Sequence, residues 1–120
     1  MIKRIGIIGT GYVGLPLAVE FSNNYQVISY DHDRKRIDQL QKNYDQNNEI
    51  SKSRLKNAKK LIFTNKINNL IKCNIFIISV PTPILNNNKP NLSFLKKACK
   101  EVSSIINNNN IVIFESTVYP

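Results

Sequence analysis

Apolar positions along this chain follow two rhythms. Ile5–Ile8, Val27–Tyr30, Leu61–Phe63, Ile75–Ser79 and Ile111–Phe114 are short runs with few polar interruptions, the pattern of strands covered on both faces. Between them, apolar residues recur three and four apart. Val13, Leu17, Ala18 and Phe21 predict a helix over Val13–Phe21, and Ile37 and Leu40 one over Arg34–Asn43. Leu92, Leu95, Ala98, Cys99, Val102 and Ile106 predict a third over Leu92–Ile106, with Asn91 as its N-cap. A short helix over Ser53–Lys60 and a turn or two of helix around Ile67, Leu70 and Ile71 complete the pattern. Tyr44–Lys52 and Ile84–Pro90 read as polar loops, and nothing in Asp45-Gln46-Asn47-Asn48-Glu49 calls for burial.

Strands that alternate with helices predict a parallel sheet joined by right-handed crossovers. The expected fold is α/β: a single Rossmann-type, doubly wound domain over residues 1–120 with strand order 3-2-1-4-5. In that order, four chemically unusual loops fall on one edge of the sheet. They are the glycine turn after Ile8, Asp31, Val80-Pro81-Thr82-Pro83, and Glu115-Ser116-Thr117-Val118-Tyr119-Pro120.

The turn Gly9-Thr10-Gly11-Tyr12-Val13-Gly14 fits G-x-G-x-x-G between a strand and a helix. Gly9 suits a tight turn, Gly11 lets a pyrophosphate approach bare backbone, and Gly14 lets helix and strand pack closely. The free N–H groups of the first helical turn would face the pyrophosphate. Pro16 is compatible with a helix only near its start, where N–H groups have no helical partner. Asp31 ends the second strand, where a carboxylate accepts from the adenosine ribose and repels a 2′-phosphate, favouring NAD over NADP. The competing reading makes Asp31 the N-cap of the next helix. His32, Arg34, Lys35 and Arg36 follow it directly and could welcome a phosphate, but they belong to the next helix.

Composition narrows the alternatives. The 120 residues are 42% hydrophobic and 21% charged, ordinary for one globular domain. No apolar run approaches a membrane span, and Ile5–Ile8 starts a fold rather than a signal peptide, which points to the cytoplasm. Cys73 and Cys99 are too few for a disulfide framework or a metal site and read as small core residues. The net charge of +9 comes from scattered lysines without a nucleic-acid recognition motif, so nucleic acid is not an expected partner. The charge suits an anionic dinucleotide.

The glycine turn with its Leu15-Pro16-Leu17-Ala18 continuation, Asp31 with Lys35-Arg36-Ile37, the Val-Pro-Thr-Pro loop and Glu-Ser-Thr-Val-Tyr-Pro occur in order over the whole chain. Together they resemble the N-terminal, NAD-binding domain of the UDP-glucose/GDP-mannose dehydrogenase family. The Glu115 form of the last motif is most similar to bacterial enzymes acting on UDP-N-acetyl-hexosamines. The resemblance implies NAD as cofactor, held by Gly9, Gly11, Tyr12, Val13, Gly14, Asp31 and Arg36, with Val80, Pro81 and Thr82 along its adenosine and nicotinamide-ribose side and Glu115 at the nicotinamide ribose or amide. It implies Thr117 beside the reacting centre and no metal. Glu115 and Ser116 also suit simple capping or turn roles. The family oxidises a sugar C6 alcohol to a carboxylate in two NAD-dependent steps, through an intermediate on a cysteine. Neither Cys73 nor Cys99 matches that cysteine's motif. The family's catalytic acid and lysine, its dimerising helix and its UDP-sugar-binding domain lie beyond the last motif here. The sequence is therefore expected to be a cofactor-binding piece that holds NAD weakly and turns over little alone. A stand-alone dinucleotide-sensing module and another Rossmann hydroxyacid dehydrogenase are the alternatives.

Overall fold

The computed structural model describes residues 3–115. β1 (Arg4–Ile8) is the central strand of a five-stranded parallel sheet, between β2 (Gln26–Tyr30) and β4 (Ile75–Ile78). β3 (Leu61–Thr64) pairs with β2, β5 (Ile111–Phe114) with β4, and the order is β3-β2-β1-β4-β5, as the alternation predicts. The helices are α1 (Gly14–Phe21), α2 (Arg34–Gln41), α3 (Lys52–Asn57) and α4 (Ser93–Ser103), with a 3-10 turn at Ile67–Leu70.

Side-chain alternation in the central strand feeds both faces of the sheet. Ile5 and Ile7 pack with Ala18, Val27 and Ile77. Ile8 turns the other way, to Tyr30, Leu70, Cys73, Phe76, Ala98 and Val102. Leu15 and Val19 of α1 meet Ile37 and Leu40 of α2, Leu55 of α3 and Phe63 of β3. The first three helices thus share one face, while the 3-10 turn and α4 cover the other. Among the described residues β5 ends the sheet, with Ile111 and Phe114 both exposed.

The structure settles one open alternative and departs from the sequence-based expectation elsewhere, each time for a local reason. Asp33, not Asp31, caps α2: its side chain accepts from the Arg36 N–H at 3.3 Å. Asp31 is left at the strand tip. In α4 the helix proper starts at Ser93, whose N–H donates to Asn91 Oδ1 at 3.0 Å, and it ends at Ser103, leaving Ile106 exposed. The segment 44–50 is not wholly solvated. Asp45 is 4% exposed and Ile50 5%, because Asp45 folds inward onto Arg36.

Candidate functional site

The sheet order reverses between β1 and β4, and a cleft of about 580 Å³ opens at the C-terminal ends of the strands there. Backbone bonds lock the loops that form it. Gly9 N–H donates to Tyr30 O at 2.8 Å, Ser79 N–H to Ile8 O at 2.9 Å, and Glu115 N–H to Ile78 O at 2.9 Å. The strand tips carrying Gly9, Asp31, Ser79 and Glu115 therefore share one edge.

The glycine turn is built as its sequence requires. Gly9 has φ +108°, in the left-handed region that other residues rarely enter. A Cβ on Gly14 would lie 2.1 Å from Gly9 O and 2.3 Å from Ser79 Oγ, so only glycine lets α1 start this close to the turn. At Gly11 a Cβ would meet nothing within 4 Å; that side of the turn is open. Among the described residues, no group accepts from the N–H of Gly11, Tyr12 or Val13. The first turn of α1 also carries no acidic residue to neutralise the positive end of its dipole. Open space, unused donors and a helix N-terminus suit a pyrophosphate.

Asp31 stands beside this turn. Its Oδ2 accepts from Thr10 N–H at 3.1 Å and from Thr10 Oγ1 at 2.7 Å, and its Oδ1 accepts from Asp33 N–H at 3.0 Å. A carboxylate offers about four acceptor positions. Three are filled, which leaves one on Oδ1. His32 Nδ1 lies 3.5 Å from the same oxygen.

The far wall comes from β4 and α4. Ser79, Val80 and Pro81 line the cleft with Phe94, Lys97, Ala98 and Glu101. The Tyr30 hydroxyl donates to the Glu101 carboxylate. Burial first, and then the Glu101 charge and hydrogen bond, push the Tyr30 phenol well above its ordinary pKa, so it remains a neutral donor.

The structure brings Gly9, Gly11, Asp31, Val80 and Pro81 together on the cleft wall. Tyr12 and Val13 form the exposed shoulder of the turn, and Gly14 lies beneath it. Thr82 is half-buried in the loop beyond Pro81, and Glu115 is exposed at the end of β5. Thr117 lies outside the described residues. Arg36 is not on the cleft wall: it is 8% exposed, with Nη1 2.7 Å from Asp45 Oδ1 and Nη2 donating to Thr10 O at 2.6 Å. Sequence reasoning missed Thr10, Ser79, Tyr30 and the α4 wall. For α4 a signal existed: Phe94, Lys97, Ala98 and Glu101 fall at i, i+3, i+4 and i+7, a stripe that shares Ala98 with the buried one.

Among the described residues, no cluster of three or more His, Cys, Asp or Glu side chains is placed to hold a metal ion. Nor is any helix among them long and apolar enough to cross a membrane.

A doubly wound parallel sheet, a glycine turn at its switch point and a carboxylate at the next strand tip define a dinucleotide-binding domain. The comparisons specify which. Residues 3–120 match the NAD binding domain of the UDP-glucose/GDP-mannose dehydrogenase family, and the chain belongs to that family. NAD is the cofactor of this domain. Over 117 residues the chain is 47% identical to UDP-N-acetyl-D-glucosamine 6-dehydrogenase of Salmonella typhi, covering 98% of this chain and 28% of that protein. It is 45% identical to Protein CapL of Staphylococcus aureus over 120 residues, 100% of this chain and 28% of the relative. The solved UDP-D-ManNAc dehydrogenase from Pyrococcus horikoshii superposes with a TM-score of 0.89 at 34% identity, over 98% of this chain and 29% of that one. The chain thus spans little more than a quarter of the relatives it matches.

Proposed function

We propose that this chain is the NAD-holding part of a nucleotide-sugar 6-dehydrogenase that oxidises the C6 alcohol of a UDP-N-acetyl-hexosamine to a carboxylate in two NAD-dependent steps. Bound NAD would supply the hydride acceptor. The observation that carries the reading is the convergence of unused turn N–H groups, Asp31 and the Val80–Pro81 wall on one cleft. The names of the relatives support the substrate class. In this reading the N–H groups at Gly11, Tyr12 and Val13 bind the pyrophosphate. Asp31 takes the adenosine ribose through the open position on Oδ1. Val80, Pro81 and Thr82 line the adenosine and nicotinamide-ribose side, Glu115 meets the nicotinamide ribose, and Thr117 sits beside the reacting centre. Tyr30, Phe94 and Glu101 line the same cleft as Asp31 and would flank the adenine. Arg36 serves the cofactor through Thr10 rather than by touching it. The protein works in the cytoplasm, and a homodimer requires a central helix outside these residues.

Isothermal titration of the chain with NAD and NADP tests the cofactor half. NAD is expected to bind, and NADP more weakly because Asp31 repels the 2′-phosphate. Absence of NAD binding at millimolar concentration would overturn the site. The substrate half is read by NADH formation when the full coding sequence is expressed and supplied with UDP-N-acetyl-hexosamines.

A further inference from the structure

The segment 44–50 carries more structure than its polar sequence suggests. Asp45, its side chain fully buried, accepts from the N–H groups of Asn47 at 3.0 Å, Glu49 at 2.8 Å and Ile50 at 3.0 Å. The same carboxylate takes Arg36 Nη1 at 2.7 Å. Burial alone would raise the Asp45 pKa; the Arg36 bond and the three backbone bonds outweigh it and hold the carboxyl below its ordinary range. Arg36 spends its other terminal nitrogen on Thr10 O at 2.6 Å. Thr10, 1% exposed, passes its N–H and hydroxyl to Asp31.

These contacts form one continuous series: the folded 45–50 loop, Arg36, the Thr10 peptide, then Asp31. Thr10 is the residue between the first two glycines of the dinucleotide turn. Without Arg36, its carbonyl would be a buried acceptor with no partner. We propose that Asp45 is a positioning residue for the cofactor site, fixing the Thr10 peptide and the Asp31 carboxylate through Arg36 from a loop that itself does not line the cleft. The bidentate task explains why arginine stands at position 36: a lysine could bond one of the two acceptors, but it lacks the planar fork that reaches both. The inference rests on the cofactor reading above for its functional part and on the ligand-free geometry for the rest.

Two measurements on the 120-residue chain test it separately. The first is amide hydrogen exchange by NMR without ligand. In Asp45→Asn the Thr10 N–H is expected to exchange at least about tenfold faster, while Ile7 in the central strand keeps its protection. Unchanged protection at Thr10 in a folded variant would overturn the proposal. The second is NAD affinity in a double-mutant cycle with Asp31→Ala. Asp45→Asn is expected to weaken NAD by about tenfold in the parent chain and by clearly less in the Asp31→Ala background, because both act through Thr10. Additive losses would mean that Asp45 merely supports folding, and would overturn the proposal. Should Asp45→Asn fail to fold, Arg36→Lys keeps a cation beside Asp45 yet leaves Thr10 O unheld, and the same two readouts apply. If the parent chain binds no NAD, the cofactor reading falls and takes the cofactor role of Asp45 with it. The exchange measurement still decides whether the brace holds the turn.

Discussion

Asp31→Ala separates the two tasks assigned to this carboxylate. The substitution removes the acceptor for three donors: Thr10 N–H, Thr10 Oγ1 and Asp33 N–H. Asp33 is exposed, so its N–H regains water at little cost. Thr10 is 1% exposed and cannot. Its hydroxyl can rotate towards another acceptor, but its N–H cannot turn. One to two stranded donors at about 1–3 kcal/mol each give a loss of about 1–6 kcal/mol. A domain of this size should then melt about 10 °C lower. The ribose bond is charge-assisted, so its loss should raise the Kd for NAD by about 10- to 100-fold. NADP should lose less, since the repulsion of its 2′-phosphate disappears together with the carboxylate. Differential scanning calorimetry reads the first effect and isothermal titration the second. A variant with unaltered Tm would refute the bracing of the turn. A folded variant with unaltered NAD affinity would refute the ribose role, and an unaltered NAD-to-NADP ratio would refute the discrimination argument.

Other substitutions and conditions test neighbouring parts of the argument. Gly14→Ala places a methyl group 2.1 Å from Gly9 O, so α1 must back away from the turn; a loss of about 1–3 kcal/mol is expected in urea unfolding. No loss would show that the turn has slack. Asp45 has a lowered carboxyl pKa in the folded state, so it contributes stability above the ordinary Asp value of about 3.9 that disappears as pH falls through its lower native value. Asp45→Asn should therefore flatten the stability curve in this acid range, and an unchanged slope would count against the Arg36 pairing. Cys73 is 2% exposed and burial pushes its thiol up to about 11, whereas Cys99 is only half-buried. Iodoacetamide at mildly alkaline pH should label Cys99 first and Cys73 only after unfolding, as mass spectrometry of the tryptic peptides can show.

The fold was legible because its signals are local and agree with each other. Ile5–Ile8 and Ile75–Ile78 are too continuously apolar for surface strands, and Leu95, Ala98 and Val102 have helical spacing; in α1 the stripe Val13, Leu17, Ala18 and Phe21 located the helix and caught Ala18 but missed the buried Leu15 and Val19. Gly9 and Gly14 were equally readable, since each answers a backbone demand that no other residue meets. The Asp45 loop was not legible. A buried carboxylate looks like a solvated one until its cation is located, and Arg36 lies nine positions away on another element. The same limit hid Thr10, whose hydroxyl has meaning only once Asp31, 21 residues on, is folded beside it. Asp31 had two readings, ribose acceptor or helix cap; Asp33, which the sequence reading passed over, takes α2 as its cap.

The central place of β1 has a consequence for how the molecule comes into being. The glycine turn leaves the ribosome well before β4, yet one wall of its cleft depends on Ser79, whose hydroxyl reaches Gly9 O across 70 positions of sequence. Parallel pairing between segments so far apart forms slowly, because loop closure must precede the contacts that reward it. A nascent chain that has emerged only as far as β3 would carry the complete glycine fingerprint and Asp31 and still have no cleft. Cofactor binding can begin only after β4 has docked against β1, so the fingerprint is complete in the chain well before the cleft it serves can form.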